Sequence, residues 1–316
     1  MLHVRVAVPA DLTDGVLDVL RDDPAVSSLA VLAGTSLTPA GDIVLADVAR
    51  EAVNDIVDRL IAIGVPEQGT LHVDPVTTWI SRRGLEAEKV TPGASADAVV
   101  WAEVTQRAYE ETELNWTYLS FMTMATVLAS IAIVLDSQIL VIGAMVLGPE
   151  FVAVAALGLA LVRHRRTLFT LAARTLVVGF GAAIALTTGL SLAARALGWV
   201  VVDDLTTERI GTAFIYTPDK WSFIVALVAG AAGVLSLTSA KVGGLSGVFI
   251  SVTTVPAAGN VALGLAFGVW HEVLGSSLQL VVNVAGMALA GWATLALQQR
   301  VWHRMALSRR RRRDPA

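Results

Sequence analysis

Hydrophobic positions follow two regimes along this chain. Up to about residue 80 they alternate or recur at helical spacing; beyond residue 117 they form long, nearly unbroken runs. In the first regime Leu2–Val8 alternates as a half-buried strand. Asp11–Arg21 carries Leu12, Val16, Leu17 and Leu20 at helical spacing, and Ser28–Leu32 and Ile43–Val48 read as strands. Arg50–Ile63 is an amphipathic helix closed by Gly64 and Pro66, and Thr70–Val76 is a last strand. The order βαββαβ predicts a small α+β, ferredoxin-like soluble domain over residues 1–80. Residues 81–116 follow as a linker, Ser81–Ala94, and an amphipathic helix, Ser95–Asn115.

The second regime predicts membrane spans, each needing about 20 apolar residues. Six runs qualify between residues 117 and 298: Tyr118–Leu135, Ile139–Val162, Leu168–Leu192, Trp221–Leu237, Leu245–Val269 and Leu274–Leu297. The string Ala-Leu-Gly-Leu-Ala occurs twice, at Ala156–Ala160 and Ala262–Ala266, each time shortly after a proline, Pro149 or Pro256. Proline removes a backbone donor and breaks the helical ladder. In hydrocarbon such a break is tolerated only where protein or a wet cavity surrounds it. By helix rise Pro149 lies about 15 Å along the second run and Pro256 about 16 Å along the fifth, near the middle of a ~30 Å core. Two matching three-span halves of odd span number must be oppositely oriented. The expected fold is therefore an α-helical integral membrane protein of six spans in two inverted three-span repeats, behind the ferredoxin-like domain.

Charge refines the picture. The chain is 55% hydrophobic and 16% charged, against about 25% charged in ordinary soluble chains. Residues 1–92 hold seven Lys/Arg and fourteen Asp/Glu, whereas residues 299–316 end in a basic tail, Arg309–Arg313. Arg163-His164-Arg165-Arg166, Lys241 and that tail fall on one side of a six-span arrangement; Asp136, Asp203-Asp204 and His271-Glu272 fall on the other. The positive-inside rule then places both termini in the cytoplasm of a multi-pass cytoplasmic-membrane protein. Trp116, Trp199, Trp221, Trp270 and Trp302 stand at or near run ends, as interfacial belts require. Met1–Leu12 has neither a basic n-region nor an apolar h-region, so no cleavable signal peptide is expected. There is no cysteine, which excludes disulfides, thiolate catalysis and Cys-ligated metals. His3 and His72, on strands of the front domain, lack a metal-ligand partner in sequence. No metal, cofactor or nucleic-acid partner is expected.

The segment Val141-Ile-Gly-Ala-Met-Val-Leu-Gly-Pro149 and the Ala/Gly/Leu run after it resemble the bacterial "uncharacterised hydrophobic protein" family, domain of unknown function 389. Thr254-Val-Pro256 and Leu278–Met287, with Asn283 inside, resemble its later segments. The resemblance covers about residues 115–298. It implies a membrane architecture and supplies no activity, substrate or site. The family often shows a second proline after each of these; here Ala153 and Ala257 stand there.

Ionisable and polar residues inside the runs are the candidate chemistry. Glu150 directly follows Gly148-Pro149, and Arg174 lies in the third run at a depth within about one helical turn of it. These depths predict a Glu150–Arg174 contact, direct or through water, serving either to lock two helices or to handle substrate or protons. Thr253, Thr254 and Asn260 flank Pro256 and could ligate a solute or simply bond helix to helix. Gln279 and Asn283 share one helix face. Gly244-Leu-Ser-Gly247 matches the GxSG of rhomboid proteases, but Ser246 and His271 lie about 37 Å apart by helix rise, too far for a base to reach a hydroxyl; no enzyme is expected. The leading reading is a small-solute or ion transporter or channel, with the front domain regulating it or assembling a homo-oligomer. The alternative is a membrane-anchored sensor or scaffold without transport.

Overall fold

The computed structural model describes all residues except 92, 94–97, 207, 208, 210, 218, 219, 239–253 and 314–316, and of 206 and 302–313 the backbone alone. The chain forms two compact units: Met1–Val104 with the short pieces 238–241 and 298–316, and Thr105–Leu237 with Val242–Leu297.

The first unit is built on β1 (Leu2–Val8), α1 (Ala10–Leu20), β2 (Val26–Leu37), β3 (Ala40–Val48), α2 (Val53–Ala62), the single turn α3 (Val65–Gln68) and β4 (Thr70–Pro75). This is the expected order. The four strands make one antiparallel sheet in the order β2-β3-β1-β4. Alternation in β1 sends Leu2, Val4, Val6 and Val8 to one face. There they join Val44, Ala46 and Val48 of β3 under Val16 and Leu20 of α1 and Ile56 and Leu60 of α2. The stretch read as a linker contains a helix, α4 (Arg82–Val90), because the Ser81 side chain caps it by accepting from the Gly84 N–H at 3.0 Å. The next helix, α5 (Trp101–Thr112), starts later than the sequence predicts. Residues 98–101 are instead tied to α2 and the turn before it: Arg50 Nε donates to the Ala98 carbonyl, Asn54 Nδ2 donates to that of Val99, and the Trp101 N–H donates to Asn54 Oδ1.

The second unit is helical: α6 (Trp116–Val134), α7 (Gln138–Leu147), α8 (Glu150–Val162), α9 (Arg166–Ala196), the short α10 (Asp203–Thr206), α11 (Lys220–Thr238), α12 (Thr254–Phe267) and α13 (Trp270–Arg313). Among the described residues four helices are long and apolar enough to cross a membrane, namely α6, α9, α11 and the Trp270–Val301 part of α13. A fifth crossing is available if α7 and α8, bent by 57° at their junction, count as one span. The break expected in the second run is therefore present at Gly148-Pro149. The fifth expected run, Leu245–Val269, is described only from Thr254 onward; Thr253 and the residues before it lie outside the described residues.

Candidate functional site at two facing helix ends

The α8 helix begins because Pro149 cannot continue α7 and is suited to the edge of a new helix. Its first residue, Glu150, is 0% exposed. The described part of α12 opens at Thr254, with Pro256 two residues further on. The two starts meet: Thr254 Oγ1 donates to Glu150 Oε1 at 2.6 Å, both groups buried. A Cβ on Gly148 would collide with the Val255 and Glu150 side chains and would have to displace them.

From that meeting point the helices diverge. The C-terminal end of α8 leads through Arg163-His164-Arg165 straight into the start of α9. The C-terminal end of α12 lies instead beside the end of α9: Thr188 Oγ1 donates to the Ala262 carbonyl at 3.3 Å, and Arg195 Nη1 to that of Ala266 at 2.8 Å. From that point α8 and the described part of α12 thus run to opposite ends of α9. The N-terminus of α8 carries about half a positive charge and unpaired N–H groups, which favours a carboxylate there.

Further polar side chains are buried in the same unit. Asn260 Nδ2 donates to Ser276 Oγ at 2.8 Å, while Asn260 Oδ1 has no partner among the described residues. Gln279 Nε2 donates to Asn283 Oδ1 at 3.5 Å, so Asn283 sits inside as its helix face predicted. Ser130 Oγ, on α6, donates to the Gly259 carbonyl at 3.1 Å.

The structure does not join Arg174 to Glu150. Arg174 is exposed on α9, and no Glu150–Arg174 ion pair occurs among the described residues. Its neighbour Thr175 is the buried one, donating to the Thr112 carbonyl at 2.8 Å. One residue is a 100° step around a helix, so Thr175 facing inward turns Arg174 away. Ser246 of the GxSG match lies outside the described residues.

Sequence reasoning missed Tyr118. It is 5% exposed, packs in one cluster with Val154, Phe180 and Val255, and its hydroxyl has no partner among the described residues. The signal existed: Trp116-Thr117-Tyr118 opens α6 as Trp221-Ser222-Phe223 opens α11. The twice-used Ala-Leu-Gly-Leu-Ala string proves to be a packing device. Its central glycines, Gly158 and Gly264, each lie against α13, at Ala288/Trp292 and at Val273.

A strap between α9 and α11 closes one end of the helical unit. Its Leu205 and Ile215 are buried in a cluster with Ile133, Val141, Ala257 and Leu263. Asp136, at the α6–α7 turn, accepts from the Gly211 N–H at 3.1 Å and from Thr212 Oγ1 at 2.8 Å. Gln138 Nε2 donates to the Gly211 carbonyl. Arg209 pairs with Glu272 in the first turn of α13, the side chains 4% and 3% exposed, and its guanidinium lies over the Tyr216 ring.

Comparison with known proteins bears on the central segment. The family model of DUF389, a domain of unknown function, matches residues 145–289. Residues 145–289 of this chain are similar to that family. The match takes in the Gly148-Pro149-Glu150 break, the strap and the α12 start, so both facing helix ends belong to the DUF389 segment. No curated protein and no solved structure significantly matches the chain.

Proposed function

We propose that this protein is a small-solute or ion transporter or channel of the cytoplasmic membrane, working at the two facing helix starts. The observation that carries the reading is the buried Glu150 carboxylate at the N-terminus of α8, held by Thr254 of α12. A carboxylate in a membrane interior is costly and marks a solute or proton path more often than a packing contact. Half-helices that meet at mid-membrane are the means by which repeat-built transporters present N–H groups and freed carbonyls to a substrate.

The reading includes two inverted three-span halves. In support, three further pairs of strings recur at offsets close to that of the prolines: the Trp-Thr-Tyr and Trp-Ser-Phe openings, the Ala-Leu-Gly-Leu-Ala copies, and Leu-Val-Val at Leu176–Val178 and Leu280–Val282. All four offsets fall between 104 and 107 residues. The opposite courses of α8 and α12 fit the same symmetry. The basic loops and tail put both termini in the cytoplasm. The strap then closes the outer side of the site. The front unit, whose element and strand order are those of a ferredoxin-like fold, regulates transport or assembles subunits.

Proteoliposome flux tests the proposal, with H⁺, Na⁺, K⁺, Cl⁻ and phosphate each offered in turn. Flux of at least one is expected, with Glu150→Gln abolishing or altering it. No flux of any of these ions from folded, reconstituted protein, and no change with Glu150→Gln, would overturn the reading.

A further inference from the structure

A cavity of about 480 Å³ opens between the ends of α6, α9 and α12 that lie nearest the strap. This is within the size range of small-ligand sites. Ile131 of α6, Leu190 and Ala194 of α9, and Leu263 and Phe267 of α12 form its walls, and Trp199 stands at its rim. Its wall also holds a buried hydroxyl: Thr187 is 1% exposed and its Oγ1 has no partner among the described residues. Ile131, Leu190 and Trp199 are exposed, so the crevice opens on the apolar outer surface of the helices. One cation belongs to its edge. Arg195 lies 5.4 Å over the ring of Phe267, a wall residue, and spends only Nη1 on the Ala266 carbonyl. Arg195 is itself exposed, which leaves Nε and Nη2 for a ligand outside the protein.

We propose that this crevice holds one acyl chain of an anionic phospholipid whose headgroup phosphate is bound by Arg195. The walls are apolar, as a chain requires. The rim carries an aromatic ring and a guanidinium, the pair that marks the level where headgroups begin. A planar guanidinium with free N–H groups is matched to phosphate oxygens. The concave shape decides against a second protein chain, which needs roughly 1,000 Å² of complementary face rather than a slot between three helices. Asp204, in the strap, is engaged by the Val201 N–H at 2.9 Å. The proposal needs the helices to lie in a bilayer but not that they transport anything.

Native mass spectrometry of the full chain in mild detergent tests it, with phosphatidylglycerol, phosphatidylcholine or inorganic phosphate added separately. One phosphatidylglycerol adduct is expected to survive, favoured over phosphatidylcholine by about fivefold for the single cation, with none from inorganic phosphate. Ala194→Trp, which fills the crevice, and Leu190→Trp, which blocks its mouth, should each remove the adduct without lowering the Tm; whichever of the two folds decides. Arg195→Gln should abolish the preference between the two lipids. Undiminished phosphatidylglycerol retention in the folded Trp variants, or equal retention of both lipids by the unaltered protein, would overturn the proposal. Flux measured on the same variants reports on transport separately, so the two readings can fail independently.

Discussion

Thr254 and Glu150, 104 residues apart, are joined by a 2.6 Å hydrogen bond between the first residue of α8 and the first described residue of α12. Each side chain is fully buried. Thr254→Val keeps the shape and removes the donor, leaving a buried carboxylate oxygen short of a partner. A loss of about 1–3 kcal/mol is expected, read as a lower Tm in detergent and as lost or altered flux. Thr254→Ser restores the hydroxyl and should restore both. Equal stability of the Val variant would show that the bond contributes nothing.

Gly148 tests the same meeting point through sterics. A methyl group there meets Val255 and Glu150 in a packed interior. Overpacking of this kind costs about 1–3 kcal/mol. Gly148→Ala should therefore destabilise the helical unit, whereas Gly181→Ala, on α9 where an added Cβ meets nothing within 4 Å, should not. Thermal unfolding of both variants side by side checks the contrast.

These residues also show what was legible in the sequence. Pro149 inside an apolar run announced a break, and Glu150 beside it announced a buried charge; both are where the pattern placed them. Arg174 failed because helix rise gives depth along a span but not azimuth around it, and Thr175 takes the inward direction. Tyr118 escaped notice because nothing interrupts its span; its inward position depends on packing against α8, α9 and α12. In the front unit β2 runs on from the expected Ser28–Leu32 to Leu37 because β3 pairs with it through a hairpin at Pro39. Backbone pairing, not hydrophobic alternation, extends that strand.

The front unit should carry a pH signature at Asp42. Its carboxylate accepts from the Gly34 N–H at 2.8 Å and from Thr13 Oγ1 at 2.7 Å, which hold its pKa below the usual carboxylate range. A depressed folded-state pKa contributes stability above the unfolded value, near 4, and loses it as pH falls through the folded one. Thr13→Val should shrink this dependence. Hydrogen exchange over residues 1–75 of the full chain between pH 5 and 2 is the measurement, and an unchanged pH profile in the variant would refute the assignment.

Glu51 should behave in the opposite sense. Burial pushes its pKa up, with Glu88 nearby adding to the shift, and its Oε2 has no partner among the described residues. A raised acid favours the folded state below the unfolded pKa, and that advantage is lost as pH rises through the folded value. Glu51→Gln should therefore stabilise the front unit at neutral pH and bring no gain in acid. Exchange rates of β1 and α2 at pH 7.5 and pH 4 give the comparison.

The strap offers a test of gating that the composition makes clean, because the chain has no cysteine. Asp136→Cys with Thr212→Cys puts two thiols where a 2.8 Å hydrogen bond now ties strap to α6–α7 turn. If the strap must leave for the outer side to open, a short bis-methanethiosulfonate linker should stop flux and reductant should restore it, while either single variant is unaffected by the linker. Flux that continues through fully cross-linked protein would mean the strap is a fixed part of the wall.

The opposed courses of α8 and α12 lead to the last prediction. Arg165 follows the C-terminal end of α8, and His271 lies just past that of α12, with the two helix starts together between them. On the proposed transmembrane arrangement, helices that diverge from one buried point toward opposite ends of α9 deliver those residues to opposite faces. Arg165→Cys and His271→Cys, made separately in the cysteine-free chain, should differ in intact cells exposed to an impermeant maleimide: His271→Cys is labelled at once, Arg165→Cys only after permeabilisation. The positive-inside rule fixes which of the two is inside, and the geometry fixes only that they differ. Labelling of both from the same side would leave the facing helix ends without a trans-membrane arrangement, and the inverted repeat would fall with it.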